Sequence, residues 1–219
     1  VYTFRARIAE QWRKGRVLLA GDAAHQTPPF AGQGMCSGLR DAANLAWKLA
    51  AVTRGEASAA LLDTYQPERA PNLRATIDMA IMMGRMVCTT SRVGAAIRDA
   101  KFALAGMLGK LPDGPPAYPP ITVGAIWAGS SAAGSYFPQV VVSDGSRLDD
   151  VLGPDAWLIA RDDLGEERLA PFASGLRAWF DHEAVSAVLV RPDRYVFGTG
   201  EAGVVNARWQ AALGLDPPA

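Results

Sequence analysis

The stretch VLLAGDAAHQTPPFAGQG, Val17 to Gly34, holds the residues whose types and spacing could do chemistry. A short apolar run ends in Gly21-Asp22, the order expected when a strand delivers a carboxylate to the carboxyl edge of a sheet, where open α/β folds bind ligands. Asp22 can accept hydrogen bonds from the hydroxyls of a polyol and would repel a bare phosphate. Gly21 lets the chain pass close to a ligand with no Cβ in the way. Pro28 and Pro29 stiffen the next residues and are expected to leave their carbonyls without competing local N–H groups. A fixed carbonyl of this kind can face a substrate hydroxyl. Gly32-Gln33-Gly34 then opens a helix, whose first amides and positive dipole end suit an anion. A tight strand-to-helix connection with a capping aspartate has the same spacing, so spacing alone leaves both readings open.

Strands and helices must position these residues. Val1 to Ala9 alternates, with Tyr2, Phe4, Ala6 and Ile8 on one face, as in a half-buried strand. Val17 to Ala20 is a continuous apolar run, expected of a strand covered on both faces. From Gly34 to about Arg54 the period is helical, with Met35, Leu39, Ala42, Ala43, Ala46, Leu49 and Ala50 on one side and Gly55 as the stop. A second helical stretch runs from about Ala59 to Val87, its beginning broken or kinked by Pro67 and Pro71. Its Met79, Met82, Met83 and Met86 are expected to pack a pliable core.

The proline-rich Leu111 to Pro120 reads as a semi-rigid linker and a domain boundary. Beyond it the expected elements are a strand at Val140 to Val142, a short helix from Arg147 to Leu152 stopped by Gly153, and a strand at Trp157 to Ala160. A helix from Glu167 to Phe180, a hairpin joining Val185 to Val190 with Tyr195 to Phe197 across RPDR, and a closing helix from Val204 to Leu213 follow. This order suggests a small α/β sandwich.

Lysine plus arginine equals aspartate plus glutamate at 22 each, so no net field favours nucleic acid or an anionic membrane. The two cysteines, Cys36 and Cys88, form neither a disulfide framework nor a metal site. No apolar stretch reaches the roughly 20 residues of a membrane span. The expectation is a soluble, cytoplasmic protein.

GTGEAG, Gly198 to Gly203, satisfies the dinucleotide fingerprint but is not followed by the second parallel strand and acidic residue that the mechanism requires. It is expected to be a turn with helix entry. His25, Arg40 and Asp41 are read as structural, His182 as a solvated cap and Trp47 as core.

Gly15 to Ala50 resembles the second FAD-binding motif of the class A flavoprotein aromatic hydroxylases, through GD followed by PPFAGQG and RDAANLAWKLA. LLDTYQPERAP, Leu61 to Pro71, and LRAWFDHEAVSAVLVRPDRYV, Leu176 to Val196, are similar to the 3-(3-hydroxyphenyl)propionate hydroxylase branch. The resemblance implies that Asp22, with Gly21, holds the ribityl chain of FAD. It implies that Gly32, Gln33, Gly34 and Met35 lie against the pyrimidine edge of the flavin, and that the Pro29 carbonyl is the candidate catalytic group near the substrate. Cys36 departs from the asparagine of many relatives.

The family's N-terminal ADP-binding strand and glycine motif are not in this sequence, so the resemblance makes the chain a C-terminal portion. The implied fold is α/β: residues 1–111 are the C-terminal part of an FAD-binding, Rossmann-like hydroxylase domain, and residues 121–219 a thioredoxin-like domain. RDDLGEE follows Trp157 to Ala160 where a working thioredoxin has Cys-x-x-Cys, so packing or dimerisation is the expected use of the tail. The implied activity is hydroxylation of a phenolic substrate by O₂ with FAD and NAD(P)H, in a homodimer. The alternative is a non-catalytic module whose tail mediates association.

Overall fold

A computed structural model describes residues 3–110 and 118–214. Val1, Tyr2 and residues 111–117 of the expected linker lie outside the described residues. The chain divides into two compact units, Val1–Ala42 with Ala70–Pro119, and Ala43–Arg69 with Pro120–Ala219. Residues 43–69 thus group with the C-terminal part and not with the segment that precedes them.

In the first unit, Gly15 at φ +59° turns the chain between β2 (Arg13–Lys14) and β3 (Val17–Leu18), which pair antiparallel. β1 (Arg7–Ile8) pairs antiparallel with β4 (His25–Gln26). The long first strand is therefore reduced to two paired residues among those described. Val17 is 66% exposed, so the run expected to be covered on both faces is a small ribbon, whose described pairing is with its own hairpin partner. α2 (Tyr65–Val87) begins where a 3-10 turn, Ala59–Thr64, ends. Pro67 falls in its first turn, and Pro71 lies inside the helix without ending it. α2 buries Leu73, Ile77 and Ala80, while the methionine stripe is half-buried or exposed, so it is not core. α3 (Arg92–Met107) is a helix beyond those expected; Ser91 Oγ caps it by accepting the Gly94 N–H at 3.2 Å.

α1 (Gly34–Thr53) matches its expected span, and Gly55 at φ +75° ends it, with the Glu56 N–H donating to the Ala51 carbonyl. Its buried face is the reverse of the expected one. Ser37, Asp41, Asn44, Leu45, Lys48 and Ala51 are buried, whereas Met35 and Leu39 are 77% and 62% exposed.

In the second unit, β5 (Trp157–Ala160), β6 (Ala187–Val190) and β7 (Val196–Gly200) form a three-stranded antiparallel sheet in that order. β6 is buried on both faces. Val188 and Val190 pack with Leu176 and Phe180 of α5 (Ala173–Glu183), and Leu189 packs with Val205, Trp209 and Leu213 of α6 (Ala202–Leu213). Ala51, Ala57 and Leu61 complete that second face, so residues 121–219 share their core with residues 43–69. The hairpin across RPDR, the helix α4 (Leu148–Leu152) and its Gly153 stop stand as expected. Val140 to Val142 supplies only an isolated bridge, Val141 to Arg147. The expected helix from Glu167 starts at Ala173, after a 3-10 turn at Ala170–Phe172.

A charged cluster lies inside this unit. Glu68 Oε2 accepts from Lys48 Nζ at 2.9 Å, Arg191 Nη2 at 2.7 Å and Asn44 Nδ2 at 2.7 Å, and Oε1 accepts from the Ala125 N–H at 2.8 Å. Arg191 also forks onto Asp193, at 2.9 and 2.6 Å. Burial alone would raise the Glu68 carboxyl, but the Arg191 and Lys48 charges overcome it and hold the group at about 2. Burial pushes the Lys48 ammonium down to about 8, and Glu68 offsets only part of that.

Two expectations follow. The stabilisation carried by ionised Glu68 is complete above pH 4.5 and is lost as pH falls toward 2, whereas Lys48 adds stability as pH rises from 8 to 10.5. Denaturant midpoints measured across pH should fall on the acid limb, and Glu68→Gln should flatten that limb while costing about 3–5 kcal/mol at neutral pH. Gly134, at φ +75°, has no room for a Cβ, which would lie 1.7 Å from the Ile121 carbonyl oxygen. Gly134→Ala should therefore cost at least about 2 kcal/mol in the same measurement.

Candidate functional site

Every residue singled out for ligand contact lies in the first unit. Gly21 has φ +56° and starts a single 3-10 turn, Gly21–Ala23, closed by the Ala24 N–H donating to the Gly21 carbonyl at 2.8 Å. The turn presses on α1, where a Cβ added to Gly38 would lie 3.4 Å from the Gly21 Cα. Asp22 is exposed, and no described residue hydrogen-bonds its carboxylate. It is a charged acceptor with its oxygens free for a ligand.

Pro28 is extended and leads into the 3-10 turn Pro29–Ala31, which ends at Gly32 with φ +62°. The Pro29 carbonyl accepts the Gly32 N–H at 2.9 Å, which corrects the expectation that no local N–H competes for it. The turn itself brings that donor round; one lone pair on the oxygen is left for another partner. A Cβ added at Gly32 or Gly34 would meet nothing within 4 Å, so the surface there is bare backbone.

The first bond of α1 runs from the Ser37 N–H to the Gln33 carbonyl at 2.9 Å, so the amides of Gly34, Met35 and Cys36 lie ahead of the helical ladder. Gln33 Oε1 accepts from Arg40 Nη1 at 3.4 Å, and the Arg40 guanidinium lies 4.1 Å from the centre of the Tyr118 ring. Gln33 thus has its side chain engaged in the protein. Met35 projects into open space.

His25 is structural as expected, and its partner is Asp41: His25 Nε2 and Asp41 Oδ2 are 2.6 Å apart, both side chains inaccessible. Asp41 Oδ2 also accepts the Gly21 N–H at 3.1 Å. Sequence reasoning misses this link, since no local pattern joins residues 16 and 20 positions apart. GTGEAG leads into a helix as expected, but Gly198–Gly200 are the end of β7, paired with β6, and not a turn. Glu201 caps α6, its carboxylate accepting the Gly203 and Val204 N–H groups at 3.1 Å, so the helix start is filled by the protein's own anion. Trp127 occupies the space a side chain at Gly198 would need. Among the described residues there is no cluster able to hold a metal ion, and no helix long and apolar enough to cross a membrane.

A polyol acceptor beside a glycine turn, a bare glycine surface and an unsatisfied helix start form a donor and acceptor set that fits the ribityl chain and pyrimidine edge of a flavin. Comparison with known proteins shows which proteins the chain resembles. Residues 1–80 match the FAD binding domain family, and residues 162–214 match the HcaD C-terminal domain. A Rhodococcus jostii protein named "Probable NADH-specific resorcinol 4-hydroxylase" is 40% identical across 90% of this chain and 42% of its own length. A 3-(3-hydroxy-phenyl)propionate/3-hydroxycinnamic acid hydroxylase of Burkholderia cenocepacia is 37% identical across 96% of this chain and 48% of its own. Among solved structures, the OxyS anhydrotetracycline hydroxylase of Streptomyces rimosus superimposes with a TM-score of 0.65 at 30% identity, over 98% of this chain and 47% of that one. The chain therefore spans a little under half the length of these relatives, and over that span it is similar to the class A flavin hydroxylases.

Proposed function

We propose that the chain is the C-terminal portion of an FAD-dependent, NAD(P)H-consuming monooxygenase that hydroxylates a phenolic ring, with Asp22 and the Pro29–Met35 loop at the flavin. The observation that carries this reading is the exposed, unpartnered carboxylate of Asp22 on a turn that packs against α1. When bound, FAD supplies the redox chemistry that activates O₂ with electrons from the nicotinamide. Asp22 accepts from ribityl hydroxyls, and Gly21 and Gly32 keep side chains out of the ligand's path. The amides of Gly34, Met35 and Cys36, with the dipole of α1 behind them, stabilise negative charge at the pyrimidine edge. The remaining lone pair of Pro29 is available to a substrate hydroxyl.

Residues 1–111 would then be the end of the FAD-binding hydroxylase domain, and residues 121–219 a thioredoxin-like domain whose core borrows from residues 43–69. No cysteine follows Cys88, so that tail cannot cycle a dithiol. Packing or dimerisation is its use.

Asp22→Ala in the full-length protein removes a charge-assisted acceptor worth about 1.5–3 kcal/mol. The FAD dissociation constant, followed by flavin fluorescence, should rise about tenfold or more. Retention of parental flavin occupancy after dialysis would show that Asp22 is not a flavin ligand. Residues 1–219 alone should bind FAD weakly, since one polyol contact and a helix end do not replace a nucleotide grip.

A further inference from the structure

Asp22 is exposed, yet the backbone that carries it is held from a place solvent does not reach. Asp41, on α1, has no accessible side-chain surface. One of its oxygens, Oδ2, receives the N–H of Gly21, the residue before Asp22, and contacts Nε2 of His25, three residues after it. A carboxylate stripped of water needs strong donors, and the short His25 contact and the Gly21 amide supply two. With the carboxylate ionised, His25 must present an Nε2–H to it.

The clamp is closed on its other sides. The Trp12 ring lies 5.9 Å from the His25 ring, Trp12 Nε1 donates to the Ala9 carbonyl at 3.0 Å, and the Ala9 N–H donates to the Ala24 carbonyl at 2.8 Å. The turn is thus tied at Gly21 and His25 to α1 and at Ala24 to the segment beside β1. Gly38, one turn before Asp41, is the point where α1 lets the Gly21 backbone come near. Asp41 belongs to the same helix as the free amides of Gly34, Met35 and Cys36.

We propose that Asp41 is a positioning residue for the flavin site, its buried carboxylate locking the Gly21–Asp22 turn, through Gly21 and His25, to the helix whose first amides face the ligand. This rests on the reading of Asp22 as a flavin ligand. The lock fixes the acceptor and the helix start as one preorganised pair, so binding FAD does not have to order a glycine turn. His25 serves the same purpose by holding Asp41, not by moving a proton in the reaction.

A double-mutant cycle on FAD affinity tests it, in the full-length protein stripped of flavin and titrated with FAD. Asp22→Ala and Asp41→Ala should each weaken binding about tenfold, and the double variant should be within about twofold of Asp22→Ala alone. Asp41→Asn keeps the volume and a neutral acceptor for Gly21; it should recover most of the affinity while changing the visible circular dichroism of the bound flavin. If the alanine variant does not fold, Asp41→Ser, which is too short to reach Gly21 and His25, takes its place in the cycle.

An Asp41→Ala variant that folds and binds FAD as the parent does, or a double variant whose loss equals the product of the two single losses, would overturn the positioning role and leave Asp22 a ligand. If Asp22→Ala itself binds FAD normally, the reading of the site fails first and the positioning role falls with it.

Discussion

In the C-terminal unit the governing constraint is a carboxylate that water does not reach. Glu68 has no accessible side chain, and neither do Lys48 and Arg191, whose charges meet on its Oε2. Asp193 brings the set to two cations and two anions, so it is neutral overall. Neutrality is necessary but not sufficient, because taking four ions out of water costs several kcal/mol each before any attraction is counted. What makes the cluster tenable is that its remaining donors are also placed. Arg191 Nη1 donates to the Ala125 carbonyl at 2.9 Å, Lys48 Nζ donates to Thr64 Oγ1 at 2.8 Å, and the Ala125 N–H closes the far side of Glu68. Gly124, at φ +98°, makes that last contact possible; a Cβ there would lie 2.5 Å from the Glu68 side chain.

This cluster explains why α1 turns its apolar side outward. A helix reads as amphipathic when the partner face is apolar, and then the stripe containing Met35, Leu39 and Ala46 goes inside. Here Asn44 and Lys48 have charged partners that can be met only inward, and leaving a single ion of this set unpaired costs more than exposing a few methyl groups. Charge, not volume, selects the face. Leu45 and Ala51 fit between the polar positions and are buried with them.

What was legible in the sequence was local. The RPDR hairpin, the Gly55 and Gly153 stops and the capped entry to α6 depend on residues within a few positions of one another, and each stands where turn and cap chemistry put it. The turns around Gly21 and Gly32 were legible for the same reason, and both have the left-handed backbone that glycine supplies. What was not legible was remote. Glu68 and Arg191 are 123 residues apart, and Asn44 and Asp193 are 149 apart; nothing in the periodicity of α1 announces either partner. The methionine stripe of α2 and the apolar run at Val17 failed differently. Their composition suits burial, but the described chain offers them no surface to be buried against.

The buried carboxylates of Asp41 and Glu68 obey one rule. Ser37, Asp41, Asn44 and Lys48 recur at intervals of four, three and four residues, so α1 carries a narrow buried seam that is polar throughout. An apolar seam tolerates small rotations of a helix, because the dispersion attraction forfeited on one side is partly regained on the other. A polar seam does not. Asp41 must meet the Gly21 amide and His25, and Lys48 must meet Glu68 and Thr64. Turning α1 by one residue, about 100°, would strand a charge at each of these places. The helix is therefore held in a single rotation by a few directional contacts. A seam of directional polar contacts supplies that constraint where hydrophobic packing alone would leave slack.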